Sequence, residues 1–105
     1  MGIAHELTAK DRERAREAAI RARRERAELK SLIRLGRLTI GDALADPRAQ
    51  RLRVVDILRC MPGVGPVKTN RIMMDLGIAR SRRVRGLGQR QKAGLTDLFG
   101  EGGLT

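Results

Sequence analysis

Aromatic and cysteine residues are almost absent from this sequence. None of its 105 residues is Trp or Tyr, and Phe99 is its one Phe. This scarcity excludes the rows of exposed rings on which many proteins stack single-stranded bases. Cys60 is the one cysteine, so an internal disulfide is excluded as well. A single thiol of this kind is typical of a buried core residue in a reducing compartment.

Metal ligands and long apolar runs are also scarce. His5 is the one histidine and has no Cys or second His with which to share a metal ion, so we expect neither a metal nor another cofactor. No stretch approaches the ~18 apolar residues of a membrane span. The start, M-G-I-A-H-E-L-T, lacks the basic and apolar regions of a signal peptide. We therefore expect a cytoplasmic protein with no membrane partner.

Positive charge is abundant. Twenty-three Lys and Arg residues against twelve Asp and Glu give a net charge of +11. Such an excess favours a polyanionic partner, because basic side chains displace the counterions of nucleic acid. Since stacking rings are missing, the backbone of a duplex is the expected target. The excess is greater in residues 62–99, with eight basic and two acidic residues, than in residues 1–35, with ten and six.

Hydrophobic periodicity predicts an all-α fold without strands. Thr8 and Asp11 form a capping signal for a long charged helix over residues 8–35, which is apolar enough to dock only near Leu29 and Ile33. A compact module of short helices is expected over residues 36–100, with flexible ends at residues 1–7 and 101–105. Its short helices are expected around residues 40–44, 54–61, 69–76 and 89–99, and the last of these should bury Leu95, Leu98 and Phe99.

A cluster of helix breakers, M-P-G-V-G-P-V-K, separates two of these short helices. Gly63 and Gly65 permit dihedrals closed to other residues and leave room for a flat surface. Pro66 favours a helix start whose free N–H groups and dipole bind anions, and Lys68 and Arg71 add charge within two turns. The alternative is a tight turn without a ligand, and the net charge favours phosphate binding.

A second basic cluster lies in R-S-R-R-V-R-G-L-G, which holds Arg80, Arg82, Arg83 and Arg85. Guanidinium groups bind phosphate oxygens in pairs and enter narrow minor grooves. Clustered like charges also cost stability unless they meet an anion. A solvated basic loop is the alternative.

The long helix carries a basic stripe of Arg16, Arg23 and Lys30, which are spaced seven residues apart. It is a second candidate DNA surface, and a solvated helix face is an equal alternative. Neutralising phosphates along one side of DNA, or gripping DNA at two separated places, can hold it in a curve. Bending by an apolar wedge is not expected, because the sequence shows no exposed apolar pair.

Two motifs together resemble the actinobacterial integration host factor family: V-V-D-I-L-R-C-M-P-G-V-G-P-V-K-T-N-R-I-M-M-D-L-G-I and R-R-V-R-G-L-G. The segment A-R-R-E-R-A-E-L-K is similar to the long helix of that family, so the resemblance covers most of residues 8–100. It implies a small helix-two-turn-helix protein that compacts the nucleoid, bends duplex DNA with little sequence preference and assists phage integrases.

The resemblance also implies which residues contact DNA. They are Gly63, Val64, Gly65, Lys68, Arg82, Arg83 and Arg85. The sequence departs from the family at Thr69, where Ala is usual, and at Pro66 and Asn70, which replace residues that are often basic or polar. These departures predict that the phosphate affinity of the first helix start is weaker than in the family or differently shared.

Two other classes of protein share this helical module. A ribosomal small-subunit protein binds RNA with it, but a longer basic tail is expected there than G-E-G-G-L-T. DNA glycosylases carry it behind a catalytic domain with a Pro amine, for which this chain has no room, and Asp56 and Asp75 are isolated acids. We therefore expect a monomer that is not an enzyme and that binds double-stranded DNA through its phosphates and minor groove.

Overall fold

The computed structural model describes residues 8–100, so both predicted flexible ends lie outside the described range. Five α-helices follow one another: α1 Ala9–Arg34, α2 Ile40–Ala45, α3 Val54–Cys60, α4 Pro66–Asp75 and α5 Gln89–Phe99. Short 3-10 turns occupy Pro47–Ala49 and Val84–Gly86. The described residues form no strand and only one isolated β-bridge, and the all-α prediction is confirmed.

Helix α1 begins at the predicted capping signal. The Thr8 hydroxyl accepts a hydrogen bond from Asp11 N at 3.0 Å, and Thr8 N donates to the Asp11 carboxylate at 3.2 Å. The helix has 26 residues and is about 39 Å long at 1.5 Å per residue. Every residue in 8–21 is exposed, whereas Leu29 and Ile33 are fully buried. Only the C-terminal half therefore docks, against α3 and the Pro47–Ala49 turn.

Helix α3 is the centre of the core, because five of its seven residues are buried, Cys60 among them. Helix α4 packs on α3, and α5 packs on α2. Leu95 is fully buried and Phe99 packs at the edge of the core, as predicted. Leu98 is 55% exposed, so its predicted burial is wrong. Leu98 lies in the last turn of α5, where it lines an open cleft that Gly36 and Pro62 also line.

A glycine sets the close approach of α5 to the end of α4. A Cβ atom at Gly94 would lie 2.6 Å from Leu76 Cδ2, closer than packed carbon atoms come. Glycine is unfavourable inside a helix such as α5 on helix propensity alone. Its presence at position 94 is explained by the Leu76 side chain, which packs where a Cβ atom would lie.

Candidate nucleic-acid interface

Residues 61–65, which we call the glycine turn, join α3 to α4. Val64 N donates to Met61 O at 3.1 Å, and Gly63 has a φ of +77°. With Pro62 second and glycine third, these are the features of a type II β-turn. The Val64 side chain is only 7% exposed and anchors the turn to the core. Val64 can therefore meet DNA only through its backbone.

Gly63 is required by the backbone conformation of the turn, whereas Gly65 is not. Its φ of −92° and ψ of −174° are open to any residue, so the expectation of restricted dihedrals is correct for Gly63 and wrong for Gly65. A Cβ atom at Gly65 would also meet no atom within 4 Å. The described residues thus give neither a conformational nor a packing reason for glycine here. Its effect is to keep the backbone open to a surface from outside.

The start of α4 lacks a capping side chain. Thr8 and Thr39 cap α1 and α2 through their hydroxyls, whereas Gly65 and Gly88, which precede α4 and α5, have no side chain with which to cap them. At α5 the Gln91 side chain accepts a hydrogen bond from Gly88 N at 3.0 Å, and α4 has no such contact among the described residues. The first N–H groups of α4 and α5 are therefore not bound by a cap of this kind. Uncapped helix starts bind anions, because unpaired donors and the positive end of the helix dipole lie together.

A shallow cleft of about 560 Å³ brings most of the predicted residues of the first cluster together. It is lined by Gly65, Pro66, Val67, Lys68 and Arg71. Val67 is 80% exposed, and Met74 is exposed two turns later on α4. The expectation that no apolar pair is exposed is therefore wrong. Val67 lies beside the charged residues and supplies an apolar contact surface there.

Residues 80–86, which we call the arginine turn, are fixed to the core by their backbone. Val54 N donates to Arg82 O and Val84 N to Leu52 O, both at 2.9 Å. The Val84 side chain is fully buried. The backbone of the cluster is therefore attached to the core, and the alternative of a solvated basic surface concerns its side chains.

The side chains of the arginine turn point to different neighbours. Arg80 donates to Asn70 Oδ1 on α4, Arg82 Nη1 donates to Gly86 O at 2.9 Å, and Arg83 donates to Arg51 O. For the guanidinium of Arg85, residues 8–100 supply no hydrogen bond or ion pair. All four arginines are exposed. The turn therefore presents charge on several sides, and Arg80 links it to α4.

The basic stripe extends from the projecting half of α1 to the docked half. Arg16 and Arg23 are exposed, whereas Lys30 is half-buried beside the module. Arg16 Nη1 lies 3.8 Å from Glu13 Oε1, a separation at which an exposed pair contributes little. The stripe is thus accessible, but it lies on a different element from the two turns.

The sequence analysis did not single out Arg26, Arg51 or Arg53, which lie with Arg83 around a separate cleft. The signal for two of them is the short alternation R-L-R-V, in which Leu52 and Val54 are buried and the arginines exposed. Such alternation is typical of an extended segment with one buried face.

Evidence for other kinds of site is missing from the described part of the chain. No group of three or more His, Cys, Asp or Glu residues in 8–100 is placed to hold a metal ion, and His5 lies outside that range. None of the helices described is both long and apolar enough to cross a membrane. Asp56, in the first turn of α3, is half-buried, and Asp75, at the end of α4, is exposed.

Known proteins match this chain in both sequence and fold. The S13-like H2TH domain family matches residues 23–99. The integration host factor of Mycobacterium tuberculosis is 40% identical over 99 residues, which cover 90% of this chain and 94% of that protein. That of Streptomyces coelicolor is 40% identical over 101 residues, with 92% and 94% covered.

A solved structure of sIHF bound to an 8 bp palindromic DNA is also 40% identical. It superposes with a TM-score of 0.75 and covers 80% of this chain and 99% of that one. Together with the two turns described above, these matches confirm the predicted resemblance. The chain belongs to the integration host factor family of actinobacteria, whose module is an S13-like H2TH domain.

Proposed function

We propose that this protein is an architectural protein of the nucleoid that binds double-stranded DNA through its phosphates and bends it. The observation that carries the proposal is Gly65, whose backbone is left open at an uncapped helix start for no reason internal to the described chain. The relative solved with DNA bound supports a duplex as the partner.

The interface residues have distinct roles in this proposal. Gly63 shapes the turn, while Gly65 and the backbone of Val64 allow one phosphate to reach the first N–H groups of α4. Lys68 and Arg71 add charge beside that phosphate. Three arginines of the arginine turn hold further phosphates or enter the minor groove: Arg82, Arg83 and Arg85. Contacts of this kind position the duplex without reading its bases, so sequence preference is low.

The second surface of the proposal is the basic stripe of Arg16, Arg23 and Lys30. In this scheme residues 36–100 form the module that grips DNA, and the helix over residues 8–35 helps to bend or bridge it. The protein acts by holding DNA in shape, without catalysis, in the cytoplasm. Holding DNA in a bend would also suit this protein to assist a phage integrase.

A gel-shift series tests the proposal. Random-sequence duplex DNA is titrated at several salt concentrations, with scrambled DNA and duplex RNA as competitors. If about six phosphates are bound, the logarithm of affinity should fall with the logarithm of salt with a slope of about −5. A slope near zero, a strong preference for one site, or tighter binding of RNA contradicts it.

A further inference from the structure

A cleft of about 330 Å³ lies between the docked half of α1, the segment before α3 and the arginine turn. We call it the arginine cleft. It is lined by Arg26, Arg51, Leu52, Arg53, Asp56 and Arg83. Only Arg83 has a role in the function proposed above, so the cleft adds three arginines from two other segments.

Two of these arginines lie opposite each other by virtue of the backbone. Arg53 and Arg83 form the one isolated antiparallel bridge of the described chain. The hydrogen bonds of the bridge are made by the neighbouring residues and not by the pair itself. In such a pair the Cα atoms are only about 4.5 Å apart, and the side chains are correspondingly close. Like charges placed this way are destabilising.

The cleft does not neutralise its own charge. Four guanidinium groups share it with a single carboxylate, that of Asp56. In residues 8–100 none of the four lies within 4.0 Å of a carboxylate oxygen. The hydrogen bond from Arg83 to Arg51 O also orients one guanidinium toward the cleft. An excess of three positive charges on a fixed backbone attracts an anion from outside.

The lining indicates which anion fits. Leu52 is the sole apolar lining residue and is itself buried, so a base has no ring or flat apolar surface on which to stack. A phosphate group alone suits the arginines, which bind its oxygens in pairs. Helix α3 separates the cleft from the glycine turn by seven residues, about 10 Å. That distance equals about three base-pair steps of DNA.

We propose that the arginine cleft binds a backbone phosphate of the same DNA duplex that the glycine turn and the arginine turn hold. Arg26 thereby brings the docked half of α1 into contact with DNA. The ligand class is a phosphodiester, and the inference rests on the function proposed above. It adds a phosphate position that depends on residues outside both turns.

The test compares two triple variants that remove the same charge. Arg26→Gln/Arg51→Gln/Arg53→Gln changes the cleft and leaves Arg83 in place. Arg14→Gln/Arg21→Gln/Arg24→Gln changes exposed positions of α1 outside the basic stripe. The salt slope of the cleft variant should be shallower than that of the control by about 1 to 2, at roughly 0.9 per phosphate.

The other outcomes separate the two proposals. If the wild-type protein binds DNA without a salt slope, the proposed function itself fails. If the wild-type slope is steep and the two triple variants behave alike, the arginine cleft does not bind DNA.

A further arm uses inorganic phosphate on the DNA-free protein at matched ionic strength. If phosphate raises the unfolding temperature through the cleft arginines while the DNA slope is unchanged, the cleft serves free anions, and the DNA assignment is wrong. If circular dichroism shows that the cleft variant does not fold, the salt slopes of the single variants Arg51→Gln and Arg14→Gln are compared instead, and this comparison decides whether the cleft binds DNA. Arg51 is exposed, and its loss should reduce the slope by up to about 0.9.

Discussion

Gly65 is the residue at which binding and folding are most cleanly separated. A side chain there is free of strain and of clashes within the described residues. Gly65→Glu should therefore keep the circular dichroism spectrum and the unfolding temperature. It should lower DNA affinity by at least about a hundredfold, because the new carboxylate would occupy the position proposed for a phosphate and repel it. A hundredfold loss corresponds to about 2.8 kcal/mol of binding free energy. Gel shift measures the loss.

Two controls define what the loss at Gly65 means. Gly65→Gln separates bulk from charge and should bind more tightly than Gly65→Glu. Gly63→Ala should reduce stability instead, because Gly63 has a positive φ. Wild-type affinity in Gly65→Glu would show that the glycine turn is not a phosphate site.

Thr69 places a hydroxyl in the core. The residue is 1% exposed, and residues 8–100 supply no hydrogen-bond partner for its Oγ1 atom. An unpaired buried hydroxyl costs about 1 to 3 kcal/mol. Thr69→Val keeps the shape and removes the polar atom, so the free energy of unfolding should rise by about 1 kcal/mol. Urea denaturation measures it.

Thr96 is the matched control for that change. Its hydroxyl donates to Lys92 O at 2.9 Å, so Thr96→Val removes a hydrogen bond that is made. It should not stabilise the protein. Equal effects at both positions would mean that the Thr69 hydroxyl has a partner in solution.

At the level of elements, Asp46 connects α2 to the next turn. Its carboxylate accepts hydrogen bonds from Arg48 N and Nη2, each at 2.8 Å. Gln50 Nε2 donates to Leu44 O at 2.9 Å and so closes the end of α2. The side-chain hydrogen bond from Arg48 lowers the pKa of Asp46 below its ordinary value of 3.8. The ionised form is therefore the one that the fold favours.

The pH dependence follows from the direction of that shift. A carboxylate with a lowered pKa stabilises the fold above its ordinary pKa, and the contribution is lost as the pH falls through the folded-state pKa. Asn caps helices as well as Asp does. Asp46→Asn should therefore fold at neutral pH and lose less stability than the wild type between about pH 5 and pH 2. The free energy of unfolding of both proteins is measured across that pH range, and an equal loss in the variant and the wild type would contradict this prediction.

The helices were predictable because their signals are local. Thr8 and Asp11 mark the start of α1, and the glycine turn separates α3 from α4 as its breakers indicate. The pairing of residues 51–53 with the arginine turn was not predictable. It joins segments about thirty residues apart, and no local pattern specifies such a partner.

The residue types of the candidate site were predictable from the sequence, but their geometry was not. The basic clusters and the open helix start were identified, while the separate directions of Arg80, Arg82 and Arg83 depend on carbonyl and amide groups that only the fold brings near. The exposure of Leu98 likewise depends on where the neighbouring elements end.

Across the whole molecule, the two basic surfaces should differ in effect. The arginine turn is fixed to the core, so Arg82→Ala/Arg83→Ala/Arg85→Ala should lower affinity by orders of magnitude. The basic stripe begins on the projecting half of α1, and its alanine triple variant should reduce bending more than affinity. The elastic cost of a bend is roughly 1 to 6 kcal/mol over about 20 to 30 base pairs. Gel shift and atomic force microscopy measure the two effects.

Stripe variants that bend and compact DNA normally would contradict this division. The arginine turn would then curve the duplex by itself. In that case the exposed Val67, beside the glycine turn, becomes the apolar group to test as a wedge between base steps.

The projecting half of α1 depends on the docked half for its helical state. A free helix of fewer than about 12 to 15 residues is marginal in water, because its first turn is costly to form. The docked half, held by Leu29 and Ile33, provides that turn, and residues 9–21 extend from it without support from the core. Opening from the N-terminal end should thus require little free energy.

Hydrogen exchange should consequently show a gradient along α1. Backbone amides near Arg16 should exchange within the time of mixing, while those near Leu29 should exchange only through global unfolding. Adding DNA should slow exchange near Arg16 if the basic stripe binds it. The ordering of the N-terminal residues of α1 would then oppose binding entropically. The measured association would be more exothermic than the contacts of the glycine turn and the arginine turn alone provide.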